Sequence, residues 1–74
     1  MRYNLRIEKS RYTGKTIAEC CDIIAARADK INAACRMPAG NIILELRSLD
    51  KTYRRAAYYG NNGKVFVSIN RTGA

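Results

Sequence analysis

The apolar period of this chain changes at Thr16, and that change limits the folds open to it. From Arg2 to Glu8, the apolar residues Tyr3, Leu5 and Ile7 alternate with Arg2, Asn4, Arg6 and Glu8. A period of two is that of a half-buried strand. Beyond Thr16, Ile17, Cys20/Cys21, Ile24, Ala28, Ile31 and Cys35 recur every three or four residues. They mark the buried stripe of one amphipathic helix. Thr16-Ile17-Ala18-Glu19 opens it as a capping box: the Thr16 hydroxyl can accept from the Glu19 amide, and the Glu19 carboxylate can reach back. Glu19 and Asp22 near the start and Arg36 at the end suit the helix dipole. Pro38 ends the helix, because the residue before a proline is driven out of the helical region.

The remaining segments read as strands and turns. Lys9 to Lys15 follows neither period and carries Ser10, Thr13 and Gly14, which predicts a loop. Asn41 to Leu49 returns to period two, with Ile42, Leu44 and Leu46 on one face and Ile43, Glu45 and Arg47 on the other. Asp50-Lys51 reads as a turn and Tyr53 to Tyr59 as a third strand. There Tyr53, Arg55 and Tyr59 point outward and Arg54, Ala56 and Tyr58 inward; a bulge near Leu49-Asp50 would exchange the two sets. Gly60-Asn61-Asn62-Gly63 is a hairpin signal, since these residues tolerate the positive φ of tight turns. In the last strand, Lys64 to Asn70, Val65, Val67 and Ile69 are expected inward and Lys64, Phe66, Ser68 and Asn70 outward. The expected architecture is α+β, in the order β-α-β-β-β. One long amphipathic helix would cover one face of a four-stranded mixed sheet, reached by a right-handed parallel crossover. Residues 1–74 would form one domain, with 71–74 a frayed tail.

A chain of 74 residues encloses one small core, and self-association into a homo-oligomer is one way such a core gains buried surface. Three cysteines leave one thiol over in any internal pairing, so all are expected reduced. No apolar run follows Met1-Arg2, and none along the chain is long enough to cross a bilayer. These features predict a cytoplasmic protein with no membrane partner. Charge is the strongest compositional signal: 14 Lys and Arg stand against 6 Asp and Glu, a net +8. Such an excess on a small body attracts anions, nucleic acid or an acidic protein above all.

Catalytic groups are scarce. The chain has no histidine, so no imidazole can activate a cysteine or serine. Cys20 and Cys21 fall on the buried stripe, where a thiol behaves as a small hydrophobe. With Cys35 they form no metal-ligand spacing, and no metal or cofactor is expected. Glu8 and Glu45 could neighbour each other across strands, but amid arginines they read as salt-bridge partners. Thr13-Gly14-Lys15-Thr16 has the end of a phosphate-binding loop, yet the position of its first glycine is Lys9. What survives of that motif is a helix N-terminus with Lys15 beside it, able to seat one phosphate. The chain is expected not to be an enzyme.

The sheet face away from the helix is the expected working surface. It would gather Arg2, Arg6, Arg47, Tyr53, Arg55, Tyr59, Lys64 and Phe66, with Lys51 and Arg54 at the neighbouring turn and edge. Basic groups interleaved with aromatic rings hold single-stranded DNA or RNA, rings on bases and cations on phosphates. The same residue types are enriched in protein interfaces. A small inhibitor or adaptor docking on an acidic or nucleic-acid-handling protein, of phage or plasmid type, is therefore the alternative. A plainly solvated face is the third reading.

Overall fold

A computed structural model describes residues 2–48 and 55–72 of the chain. Its first strand, β1 (Tyr3–Ile7), buries Tyr3, Leu5 and Ile7 and exposes Asn4 and Arg6, as the alternation requires. Glu8, at φ 55, turns the chain back into β2 (Ser10–Lys15). This corrects the expected loop. The segment does alternate, with Arg11 and Thr13 exposed and Tyr12 half-buried. It is a polar edge strand, where one-sided burial leaves little apolar signal. Gly14, at φ 66, sits where the β1–β2 register slips.

The capping box opens α1 (Ile17–Ala26). Thr16 Oγ1 accepts from the Glu19 amide at 3.1 Å and the Thr16 amide donates to Glu19 Oε1 at 2.8 Å. The long helix is then broken at Arg27 (φ −113, ψ 20), and α2 (Ala28–Ala34) follows. The apolar stripe is nevertheless continuous: Cys20, Cys21, Ile24, Ile31 and Cys35 are all buried. Periodicity reported the face and carried no mark of the break, since neither proline nor glycine causes it. Cys35 is already extended (φ −99, ψ 150) and bridges to Gly60.

A third helix, α3 (Ala39–Arg47), stands where a strand was expected. Its buried positions, Ala39, Ile42 and Leu46, are three and four residues apart, while Leu44 is 69% exposed. Ile42 and Leu46 are compatible with both periods, and Leu44 separates them. Pro38 precedes the first turn, where its missing N–H costs nothing. Asn32 Oδ1, from α2, accepts from the Ala39 amide at 2.7 Å and serves as the cap.

After this layer come β3 (Arg55–Tyr59) and β4 (Val65–Arg71). The sheet order is β2-β1-β4-β3 and every pairing is antiparallel. The mixed sheet and the parallel crossover are thus both corrected. Among the described residues three helices separate two hairpins, and the first and last strands pair at the centre of the sheet. The end of β4 is anchored: the Thr72 amide and hydroxyl both donate to the Arg2 carbonyl, at 2.9 and 3.0 Å. The expected turn at Asp50-Lys51 and the positions Lys51, Tyr53 and Arg54 lie outside the described residues.

The core lies between the helices and one sheet face. Leu5, Ile7, Ile24, Ile31, Ile42, Leu46, Val67 and Ile69 are each fully buried. A side chain of this size contributes roughly 1.5–3 kcal/mol on burial. Among the described residues no helix covers the opposite sheet face, where Asn4, Arg6, Arg11 and Arg55 are exposed.

Candidate functional site

Register fixes what the open face presents. Arg6 lies directly opposite Arg11 on one side and Ser68 on the other, and Ser68 lies opposite Ala57. One residue-pair along, Asn4, Asn70 and Arg55 form a second row. Tyr59 and Val65 face each other at the end of β3, 52% and 44% exposed. Val65 was expected inward. A register shift between Tyr58 and Tyr59 inserts one extra residue in β4 and brings Val65 to the open side.

Electrostatics divide the molecule. Glu19, Asp22, Asp29 and Glu45 all lie on the helices, and Glu8 is turned to Lys30 of α2 at 3.2 Å. Among the described residues no carboxylate stands on the open face, and Arg6, Arg11 and Arg55 make no ion pair. Opposed side chains of this kind have Cβ atoms about 5 Å apart, and like charges there are destabilising. The Arg6–Arg11 pair is therefore a local cost that the fold itself does not require. Two shallow grooves run along the face. One, of about 310 Å³, is lined by Asn4, Arg6, Arg11, Thr13, Ser68 and Asn70. The other, of about 350 Å³, is bordered by Arg6, Arg55, Tyr59, Val65 and Asn70.

The expected site residues are distributed as follows. Arg6, Arg55 and Tyr59 come together on the face. Lys64 is exposed at its end, and Phe66 there is half-buried and packs partly against the core. Arg2 is engaged elsewhere: its Nη1 donates to the Gly14 carbonyl at 2.7 Å and lies 3.6 Å from Glu19. Arg47 does not belong to this face, because it ends α3. Glu45, expected beside it, accepts from the Tyr58 hydroxyl at 3.0 Å in the helical layer. Lys15 pairs with Tyr3 at the outer edge of the sheet. The helix N-terminus beside it is already filled by the chain's own Glu19 carboxylate, whose hydrogen bond from the Thr16 backbone holds its pKa below the ordinary value. Arg11 and Thr13 were missed with β2; their signal was the brief alternation around Tyr12.

The cysteines are buried and unpaired. Burial pushes the Cys20 thiol up to about 11 and also raises Cys35. Cys21 Sγ lies 4.0 Å from the Ile43 carbonyl as a weak donor. Among the described residues no cluster of His, Cys, Asp or Glu could hold a metal ion. No helix there is long and apolar enough to cross a membrane.

Comparison with protein-family models, curated proteins and solved structures yields no match.

Proposed function

We propose that this chain is a small basic binding module, without enzymatic activity, that holds single-stranded nucleic acid across its open sheet face. The observation that carries this reading is the arginine face without a carboxylate among its described residues, and within it the opposed pair Arg6 and Arg11. A polyanion converts that local repulsion into attraction, whereas plain solvent leaves it in place. Four strands about 4.8 Å apart make the surface roughly 14 Å wide. That is broader than a major groove of about 12 Å, so a strand laid across the sheet fits better than a groove receiving its edge. Tyr59 supplies a ring for stacking, and guanidinium planes stack on bases as well. Asn4 and Asn70 offer amide groups in the middle of the face. With few groups able to read base edges, phosphate contacts dominate and sequence preference is weak.

Titration of a labelled single-stranded oligonucleotide tests this. Arg6→Gln, Arg11→Gln and Arg55→Gln should each weaken binding and flatten its dependence on salt. Failure to bind DNA or RNA at low salt excludes it.

One observation favours a second reading, an interaction module docking on an acidic protein. The cross-strand pair Tyr59 and Val65 is an exposed apolar spot beside Arg55. Exposed aromatics next to arginine are the typical anchors of protein interfaces. In that case Tyr59→Ala releases the acidic partner, and oligonucleotides do not bind.

A further inference from the structure

A depression lies at one end of the sheet, between the C-terminus of α2, the β1–β2 turn and the β3–β4 hairpin, with a volume of about 520 Å³. That volume is within the range of small-ligand sites. Three cations from three places in the chain converge on it: Arg6 from β1, Lys9 from the β1–β2 turn and Lys64 from the hairpin. Among the described residues none of them has an ion-pair partner. The one acid on the rim, Glu8, is neutralised by Lys30 at 3.2 Å. Arg6 Nε donates to the Glu8 carbonyl at 3.0 Å, which fixes the guanidinium at the mouth. Val65 and the half-buried ring of Phe66 supply an apolar wall.

The cleft is held in shape by backbone. Gly60 brings the hairpin against α2; a Cβ there would lie 3.2 Å from the Ala34 carbonyl oxygen. The Asn61 amide donates to that same carbonyl at 2.8 Å, and Asn61 Nδ2 donates to Ala33 O at 3.4 Å. The carbonyl ends of α2, which would repel an anion, are thus occupied from the hairpin side. Asn62 Oδ1 accepts from the Lys64 amide at 3.0 Å and sets the backbone at that cation.

We infer that this cleft seats a nucleotide phosphomonoester, with its phosphate on Arg6, Lys9 and Lys64 and its base against Phe66 and Val65. A terminal phosphate carries more charge than a phosphodiester, which suits a cleft lined by three cations. Arg6 borders both the cleft and the two grooves of the open face, so a strand on the sheet can end here. This source of the group rests on the nucleic-acid reading above; a free mononucleotide is the other source.

The test compares oligothymidines of one length that end in a 5′-phosphate, a 3′-phosphate or hydroxyls only. Adenosine 5′-monophosphate is titrated separately against backbone NMR signals. A terminal phosphate should raise affinity about fivefold. The paired variant Lys9→Gln with Lys64→Gln should lose that gain, binding the phosphorylated strand no more tightly than the hydroxyl-ended one. Both positions are exposed, and circular dichroism should show the fold unchanged. A gain on a phosphorylated strand assigns the cleft to strand ends. Shifts at Lys9, Lys64 and Phe66 with the mononucleotide, and no gain on the strands, assign it to a free nucleotide. Equal binding of all three strands with no mononucleotide shift overturns the inference and leaves the sheet-face reading intact. A gain retained by the paired variant overturns it too. If no strand binds while the mononucleotide does, the sheet-face reading fails and the cleft stands.

Discussion

Thr16 and Glu19 exchange two hydrogen bonds at the start of α1, and that exchange occupies this helix end. A carboxylate already sits where an incoming phosphate would need to be. The depressed pKa of Glu19 has a definite sign in stability. Its contribution is present above the ordinary carboxylate range and is lost as pH falls through its lower folded value. Glu19→Gln should therefore remove part of the acid sensitivity, read as the change in denaturation midpoint between neutral and acid pH. An unaltered pH dependence would argue against the exchange. The Cys20 and Cys35 thiols follow chiefly from burial. With Cys20 raised to about 11, a thiol-specific reagent at mildly alkaline pH should label the native protein slowly. All three cysteines should react at once in denaturant. Rapid native labelling would contradict a buried stripe. The capping box and the stripe were legible in the sequence, because both are local patterns read from residues three and four apart. The engagement of Arg2 was not, since its partners come from β2 and α1.

At the scale of elements, two neighbours on α3 separate helix from strand. Leu46 is fully buried and Leu44 is 69% exposed. Leu46→Ala should cost about 2–5 kcal/mol, and Leu44→Ala about 0.5 kcal/mol or less. Chemical denaturation measures both, and similar large losses would restore the strand. The sequence misled here for a physical reason. Apolar residues at 42, 44 and 46 satisfy period two, while 42 and 46 alone satisfy the helix. Only packing against the other helices decides which set is inside. β2 was hidden for the opposite reason, as an edge strand with a polar pattern. The hairpin at Gly60-Asn61-Asn62-Gly63 was legible from its turn residues, but the register shift that exposes Val65 was not. Strand pairing also carries a prediction. Arg11→Glu replaces a like-charge pair with an opposite one across from Arg6. It should stabilise the fold by about 0.5 kcal/mol while weakening oligonucleotide binding. A variant that lost stability would show that the pair is not repulsive.

At the scale of the molecule, the chain sorts its charge. Of its six acidic residues, four lie on helices and Glu8 is turned toward α2; Asp50 lies outside the described residues. The arginines of the central and outer strands keep the other face basic. Composition announced the net charge of +8 but could not say where it gathers, because that depends on which strands pair. The expected face survives in Arg6, Arg55, Tyr59 and Asn70 and gains Arg11 from the register. It loses Arg47 to a helix. Among the described residues it presents three arginines, Arg6, Arg11 and Arg55, and the exposed ring of Tyr59.

The salt dependence of oligonucleotide binding tests this division of charge most directly. Fluorescence anisotropy over a range of salt concentrations should give a log–log slope near −2, since each phosphate contact on a single strand contributes about 0.7 and Arg6, Arg11 and Arg55 supply three. Arg6→Gln combined with Arg11→Gln should reduce that slope by more than half. Absence of binding at low salt, or a slope unchanged in the double variant, would contradict a nucleic-acid face on this sheet.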